Sequence, residues 1–466
     1  MVSADNLNLD CLELIFAYLH GNDLLSVSLV SRSFLAGVIP RLYRTLVFKM
    51  SGAKRYPAIM SPFASVLAHP SLAVHVRHID VRSVPTVKNL PHPNFMNDCS
   101  RTIATCKNLS SFTCTPNVLS SFLLALQGKD NLQNLRVNAS LTTEQSEQLV
   151  KVTGLRNLTL DGSTWNVVDV LPVWSSLLGS TLTSLTFYAM HELNDCVLET
   201  VLGNLPNLTG LHVVGCAKID HTSIFRSTAH TPLLESLSFT SWESPRALPL
   251  TIGPLTKLRH LTVDTHCALA PSTTPTLWNS VITLTRTWSC PLTSITLKLS
   301  DKLVVGDSFI KDLLNAHEAT LTHVAFLNCQ LSLDAVRMIC ARCSEMERFA
   351  VGIPAKEIWS FSDCLSRSKS LHTLSDLGDH HSSHGQRLFL TRVNVQTIME
   401  RVPNLERVVT NGRVWTVRVA CFSRSSSSIH FTVRQAEKRS RWLHDGLRIS
   451  LERKKSPSPS HWFMPP

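Results

Sequence analysis

Residues 207–218 read NLTGLHVVGCAK. Leu208, Leu211 and Val213 are apolar, with two residues and then one between them. The closing alternation is that of a short strand with one buried side, because successive strand side chains point to opposite faces. So short a strand needs neighbours, and the chain supplies them. Apolar, two variable, apolar, one variable, apolar recurs in NLSSFTC, NLQNLRV, GLRNLTL, TLTSLTF, LLESLSF, KLRHLTV, PLTSITL, TLTHVAF and EMERFAV. The first apolar positions are Leu109, Leu132, Leu155, Leu182, Leu208, Leu234, Leu258, Leu292, Leu321 and Met346. The steps between them are 23, 23, 27, 26, 26, 24, 34, 29 and 25. VRHIDV from Val76 reads as an earlier copy, and LHTLSD from Leu371 and LERVVT from Leu405 as degraded later ones.

Periods in the twenties with this signature resemble leucine-rich repeats. Each repeat supplies one strand, and the intervening stretch returns the chain, often as a helix. WNVVDVLPVWSSLLGS and NDCVLETVLGNLP are such returns. No repeat closes its core alone, so the expected fold is α/β: a curved parallel sheet with helical returns, about 10–13 repeats over residues 49–412. VVGC and FLNC resemble the cysteine-containing subclass, in which a buried thiol replaces the ladder asparagine. The wide step from Leu258 to Leu292 implies an inserted loop such as CALAPSTTPTLWNS. The rival α/β architecture, a doubly wound domain, predicts longer buried strands and a glycine-rich phosphate loop. The chain has neither, and only 17 glycines.

Residues 1–48 are written differently. Leu9, Leu12, Ile15, Phe16 and Leu19 fall at spacings of three and four, one apolar stripe on a helix. HGND breaks it, and Asn22 or Asp23 is placed to cap a second helix, apolar at Leu24, Leu25, Val27, Leu29, Val30 and Phe34. Pro40 marks the end of a third. Three short helices bury little by themselves, and an unsealed apolar face on so small a unit docks onto something.

Residues 7–44, LNLDCLELIFAYLHGNDLLSVSLVSRSFLAGVIPRLYR, resemble an F-box. The pattern falls on Leu7, Asp10, Leu12, Ile15, Phe16, Leu19, Asp23, Leu24, Leu25, Ser28, Leu29, Val30, Ser31, Arg32 and Phe34, with Asn8 where the family has proline. The closing PRLYRTLVF is similar to a variant common in fungal F-box proteins. The resemblance implies binding to a Skp-family adaptor and, through it, to a cullin ubiquitin ligase. It also implies an adaptor-binding surface made of Leu7, Leu9, Leu12, Ile15, Phe16, Leu19, Leu24, Leu25, Leu29, Val30 and Phe34. The bland alternative is a helical cap sealing the repeats.

The net charge of +11 is uneven. Residues 1–48 hold 3 Lys/Arg against 4 Asp/Glu, residues 49–412 hold 31 against 27, and residues 413–466 hold 11 against 3. The body is nearly neutral, so no nucleic-acid surface is expected on it. The last segment, 413–466, is expected to be a basic, partly disordered tail after SRSSSS. No secretory signal and no apolar run of membrane-spanning length appear, so a soluble protein of cytoplasm or nucleus is expected. Its 13 cysteines, scattered through apolar patterns, read as reduced buried thiols.

No Walker loop, nucleophile elbow, HExxH or dinucleotide fingerprint occurs. CARC at Cys340 and Cys343 has zinc spacing but no second pair, so a return helix is the better reading. His380, His381 and His384 form a polar loop without a matching carboxylate. No catalytic residue, metal or cofactor is therefore assigned. The variable strand positions, third, fifth and seventh, should line an open face of small hydroxyls and amides, suited to a protein ligand. Arg136, Asp161, Tyr188, His212, His260 and Asp264 are the larger groups on it and the expected substrate-binding anchors. The expected function is the substrate-recognition subunit of a Skp–cullin–F-box ubiquitin ligase. The alternative is a leucine-rich scaffold not coupled to ubiquitin, and an enzyme with a site on inserted loops comes third.

Overall fold

The computed structural model describes residues 8–19, 21–138, 141–162, 164–242, 248, 252–266, 274–377, 390–410, 413–419 and 431–436. They fall into two compact units. The first runs to Ile219 and includes 230–233, and the second takes Asp220–Ala229 and the chain from Leu234.

The first unit opens with three helices, α1 (Leu9–Phe16), α2 (Asn22–Ser28) and α3 (Arg32–Leu42). Asn8, the departure from proline, caps α1, its side-chain oxygen accepting from the Asp10 N–H at 3.5 Å. Ser31 caps α3 by accepting from Phe34 N–H at 3.2 Å. Two boundary expectations shift. The α2 cap is Gly21, whose φ of 61° only glycine adopts freely, and Asn22 and Asp23 lie inside the helix. Pro40 lies within α3 instead of ending it.

The sheet of the first unit holds β1 (Thr45–Phe48), β2 (His78–Val81), β5 (Ser111–Cys114), β6 (Asn134–Asn138), β7 (Asn157–Asp161), β8 (Ser184–Tyr188) and β9 (Gly210–Val214). A small antiparallel hairpin of β3 (Thr86–Val87) and β4 (Leu90–Pro91) lies apart from it. The second unit holds β10 (Ser236–Trp242), β11 (His260–His266), β12 (Ser294–Val304), β13 (His323–Gln330), β14 (Arg348–Val351), β15 (Thr373–Asp376), β16 (Arg407–Thr410), β17 (Arg413–Val419) and β18 (Phe431–Ala436). Within each unit the strands up to β16 pair in parallel.

From β5 to β16 every strand begins at the third position of the sequence pattern, and those positions are Cα partners within each unit. Asn134 pairs with Asn157, then Ser184 and Gly210; His260 pairs with Ser294, then His323 and Arg348. A repeated backbone fork sets the register. The N–H groups of Arg156 and Asn157 both donate to Gln133 O, and those of Arg259 and His260 both to Glu235 O. The three apolar positions of each copy form the core, as in Leu208, Leu211 and Val213, all at most 1% exposed. Full burial of each such side chain contributes about 1.5–3 kcal/mol.

The returns are helices, as expected for Trp165–Leu178 and Asp195–Gly203. Val167, Val168, Leu171, Trp174, Ser175 and Leu178 turn inward, and the Trp174 indole N–H donates to Val152 O at 2.9 Å in the preceding repeat. The body is thus a mostly parallel sheet backed by helices, the leucine-rich-repeat architecture read from the sequence.

Three readings need correction. Thr45–Phe48, taken as the end of the helical segment, is the first strand and pairs with β2. Thr276–Ser280, placed in an inserted loop, opens the helix Thr276–Thr287, with Trp278 fully buried. Residues 413–419 and 431–436, placed in the tail, are strands: β17 pairs antiparallel with β16, and β18 with β17. A hairpin after the last parallel strand needs no buried return, so the apolar repeat signature was absent. Residues 437–466, with most of the expected basic tail, and His380, His381 and His384 lie outside the described residues.

Candidate functional site

In the helical unit, Leu12, Phe16, Leu24 and Val38 form the core, with Leu19, Val27, Phe34 and Leu42 packed around them. The Phe16 and Phe34 rings stand 5.3 Å apart. Helices α1 and α3 meet at Gly37, where an added Cβ would lie 3.0 Å from Leu12 Cβ and 3.1 Å from the Phe16 ring. Leu12, Phe16 and Leu24, expected to face an adaptor, instead hold the three helices together, and Leu19 and Phe34 support them. An eight-residue helix with apolar groups on two sides can bury only one against its partners.

The surface of the unit carries exposed apolar groups. Leu9, Ile15, Leu25, Leu29 and Val30, all named from the sequence, are exposed, Leu29 by 87%. Leu14, Tyr18 and Leu35 are exposed as well, Leu14 by 69%. Leu14 and Tyr18 were missed because one stripe was read on α1. Leu14 on α1 and Tyr18 in the turn just after it, four apart, make a second stripe. Leu7 lies outside the described residues. A groove of about 450 Å³ runs between α1 and α3, lined by Asp10, Glu13, Leu14, Ala17, Gly37, Pro40, Arg41 and Arg44.

The variable face of the sheet carries the other candidates. In the first unit, Arg136 and His212 share one lateral row, and Asp161 and Tyr188 the next. The Arg136 guanidinium donates to Asp161 Oδ2 at 2.5 Å, and Asn138 adds a longer contact at 3.4 Å. Asp161 is buried, so it holds Arg136 in place instead of projecting as an anchor. Burial pushes the half-buried His212 down to about 4, which keeps it neutral at physiological pH.

In the second unit, Asp264 is likewise buried. Lys298 lies 2.8 Å from Oδ2 and the His266 ring 3.2 Å from Oδ1. Trp242 stacks on His266 with centroids 4.9 Å apart. Burial raises the Asp264 carboxyl, but the His266 hydrogen bond and the Lys298 ammonium outweigh it, and the net shift is downward. Asp264 is thus the centre of an internal cluster. His260 is exposed, in one row with Ser294, His323 and Arg348. Burial, then Arg348 and His260, push His323 down to about 4. Of the six expected anchors, Asp161 and Asp264 are corrected to buried ion-pair partners, and only His260 is well exposed.

The thiols follow their burial. Cys216 and Cys329, in the VVGC and FLNC turns, are buried, and burial pushes both up to about 12. Cys340 lies in the helix Leu333–Arg342, as expected for a return helix, and Cys343 caps its end; both are buried, and burial raises both. Such thiols are poor nucleophiles. Among the described residues no cluster of three or more metal-ligating side chains occurs, and no helix is long and apolar enough to cross a membrane.

Residues 5–36 match the F-box domain model. Among solved structures, a yeast Rad7–Elc1 complex is similar over 86% of this chain and 92% of that one, at 15% identity and a TM-score of 0.46. The leucine-rich repeat-containing protein LegL7 from Legionella pneumophila is similar over 77% of this chain and 96% of its own, at 12% identity and a TM-score of 0.32. By the domain match and the strand pairing, the chain carries an F-box at its N-terminus, followed by a mostly parallel repeat sheet with helical returns.

Proposed function

We propose that the protein is a substrate receptor of a Skp–cullin–F-box ubiquitin ligase. The F-box recruits the adaptor and the repeat sheet holds a protein target. The observation that carries this reading is the set of exposed apolar groups on the matched F-box, Leu9, Leu14, Ile15, Tyr18, Leu25, Leu29, Val30 and Leu35, around a core already closed by Leu12, Phe16, Leu24 and Val38. Eight apolar groups facing water on so short a segment favour a covering partner, and helices seated in an apolar groove are a recurrent form of such contact.

The receptor performs no chemistry in this reading. It tethers a target near the ubiquitin-carrying enzyme, and its contribution is effective concentration. The test is co-purification with a Skp-family adaptor and a cullin. Wild type should recover both, and an Ile15→Asp, Leu29→Asp variant with an unchanged melting temperature should lose both. Recovery by that variant would overturn the exposed apolar groups as the docking surface, and none by wild type favours the uncoupled scaffold.

A further inference from the structure

The N-terminal edge of the first unit's sheet is a strip built from the second and third positions of seven strands. In strand order these are Arg44 and Thr45, Arg77 and His78, Ser110 and Ser111, Gln133 and Asn134, Arg156 and Asn157, Thr183 and Ser184, and Thr209 and Gly210. These fourteen positions hold three arginines and a histidine and not one carboxylate. The same two positions in the second unit include Glu235, Glu347 and Glu406 beside Arg259, Arg348 and Arg407, and balance out. The difference in charge belongs to the first unit alone.

The cations of the strip are unneutralised. Among the described residues, Arg44, Arg77 and Arg156 make no ion pair; the one side-chain bond among them runs from Arg77 to Val74 O at 2.9 Å. Acids nearby are engaged or unpaired with the strip. Arg82 holds Asp80 at 2.6 Å and Arg136 holds Asp161, while Asp10 and Glu13 line the groove with Arg44 without reaching it as ion pairs. Burial, then the charges of Arg44 and Arg77, lower His78, so the two guanidiniums act on the same spot. Between the cations lie polar groups already in line, Ser110 Oγ with His78 Nδ1 at 3.4 Å and Asn157 Nδ2 donating to Asn134 Oδ1 at 2.6 Å.

We propose that this strip is the docking site for an extended acidic segment of the target protein, its carboxylates seated on Arg44, Arg77 and Arg156. The proposal rests on the reading of the sheet as the target-holding part and adds the chemistry of the target. Strand spacing places Arg44 and Arg77 about 5 Å apart and Arg156 about 14 Å further on. An extended peptide crossing the strands at about 3.3 Å per residue meets the first two with adjacent or alternate residues and the third some four residues later. Amides and hydroxyls between the cations suit a peptide backbone. The strip holds no Phe, Tyr or Trp on which a nucleobase would stack, which disfavours single-stranded nucleic acid.

The test uses the full chain and a fluorescein-labelled dodecapeptide of Asp, Glu, Ser and Gly, read by anisotropy at 50 mM salt. Wild type should bind it, and binding should weaken on going to 300 mM salt. An Arg44→Glu, Arg156→Glu variant should bind at least tenfold more weakly, Arg44→Lys with Arg156→Lys within threefold of wild type, and Arg259→Glu with Arg348→Glu like wild type. No binding by wild type, equal loss in the second-unit variant, or an unlabelled twelve-residue oligothymidine displacing the peptide at lower concentration than unlabelled peptide overturns the proposal. Adaptor co-purification is scored on the same variants. Its loss or retention speaks to ubiquitin coupling, whereas peptide binding speaks to the strip.

Discussion

Gly37 offers a test of the F-box core that depends on a single contact. Helices α1 and α3 approach so closely there that a Cβ would lie 3.0 Å from Leu12 Cβ and 3.1 and 3.3 Å from two atoms of the Phe16 ring. Carbon atoms prefer about 3.5–4.0 Å. Leu12 Cβ is fixed to its backbone, so relief requires α1 to move bodily away from α3. Overpacking of this kind costs about 1–3 kcal/mol. Valine at position 37 also gains about 0.4 kcal/mol over glycine in helix propensity, too little to offset the clash. The net expectation for Gly37→Val is a loss of about 2 kcal/mol, confined to the helices. Hydrogen exchange reads it locally: amides of α1 and α3 should lose about thirtyfold in protection, while those of β6 to β9 keep theirs. Gly203 is the control. It ends a return helix with nothing within 4 Å of an added Cβ, so Gly203→Ala should stabilise by about 0.5–1 kcal/mol. Unchanged protection in Gly37→Val would refute the close approach of the two helices.

Other outcomes follow from the same packing. Leu12→Ala, in the helical core, should cost about 2–5 kcal/mol, whereas Leu29→Ala at 87% exposure should change stability by less than about 0.5 kcal/mol, both read by urea unfolding. Asp264→Asn should cost about 2–4 kcal/mol, because it leaves Lys298 and His266 without their buried counter-charge. His317, buried against the Thr285 hydroxyl at 2.9 Å, is pushed by burial down to about 4. Its folded value lies below its unfolded value of 6.5, so the unfolded chain binds the extra proton between them. Its stabilising contribution is complete above pH 6.5 and is lost as pH falls towards 4. Urea midpoints in that window should fall less steeply for His317→Leu than for wild type, by one proton's worth of slope. Mass spectrometry after brief iodoacetamide treatment at pH 8 should find exposed Cys11 and Cys196 alkylated well before buried Cys216 and Cys329.

Most of the fold was legible because repeat physics is written in sequence. Apolar residues at the first, fourth and sixth positions must be inward for any copy to have a core, and that fixes both the strand start and its register. The pattern failed where that constraint lapses. Thr45–Phe48 follows a helix instead of a return, and Arg413–Val419 pairs antiparallel. On the F-box, apolar residues at both core and surface positions look alike in one dimension. Leu12 and Ile15 share a stripe, yet Gly37 on another helix decides that Leu12 is covered and Ile15 is not. The anchors failed for a similar reason. Asp161 and Asp264 carry charge in a field of small neighbours, but their partners, Arg136 and Lys298, come from adjacent strands 25 and 34 residues away. That pairing follows from lateral register. The carboxylate-free strip, too, emerges only once the strands are set side by side.

The most direct measurement is calorimetric titration of a purified Skp-family adaptor into the full chain, with the Ile15→Asp, Leu29→Asp variant beside it. Saturable binding by wild type, weakened about a hundredfold or more in a variant that melts at the same temperature, is the result predicted. Absence of binding by the folded wild type, or equal binding by both proteins, would contradict it.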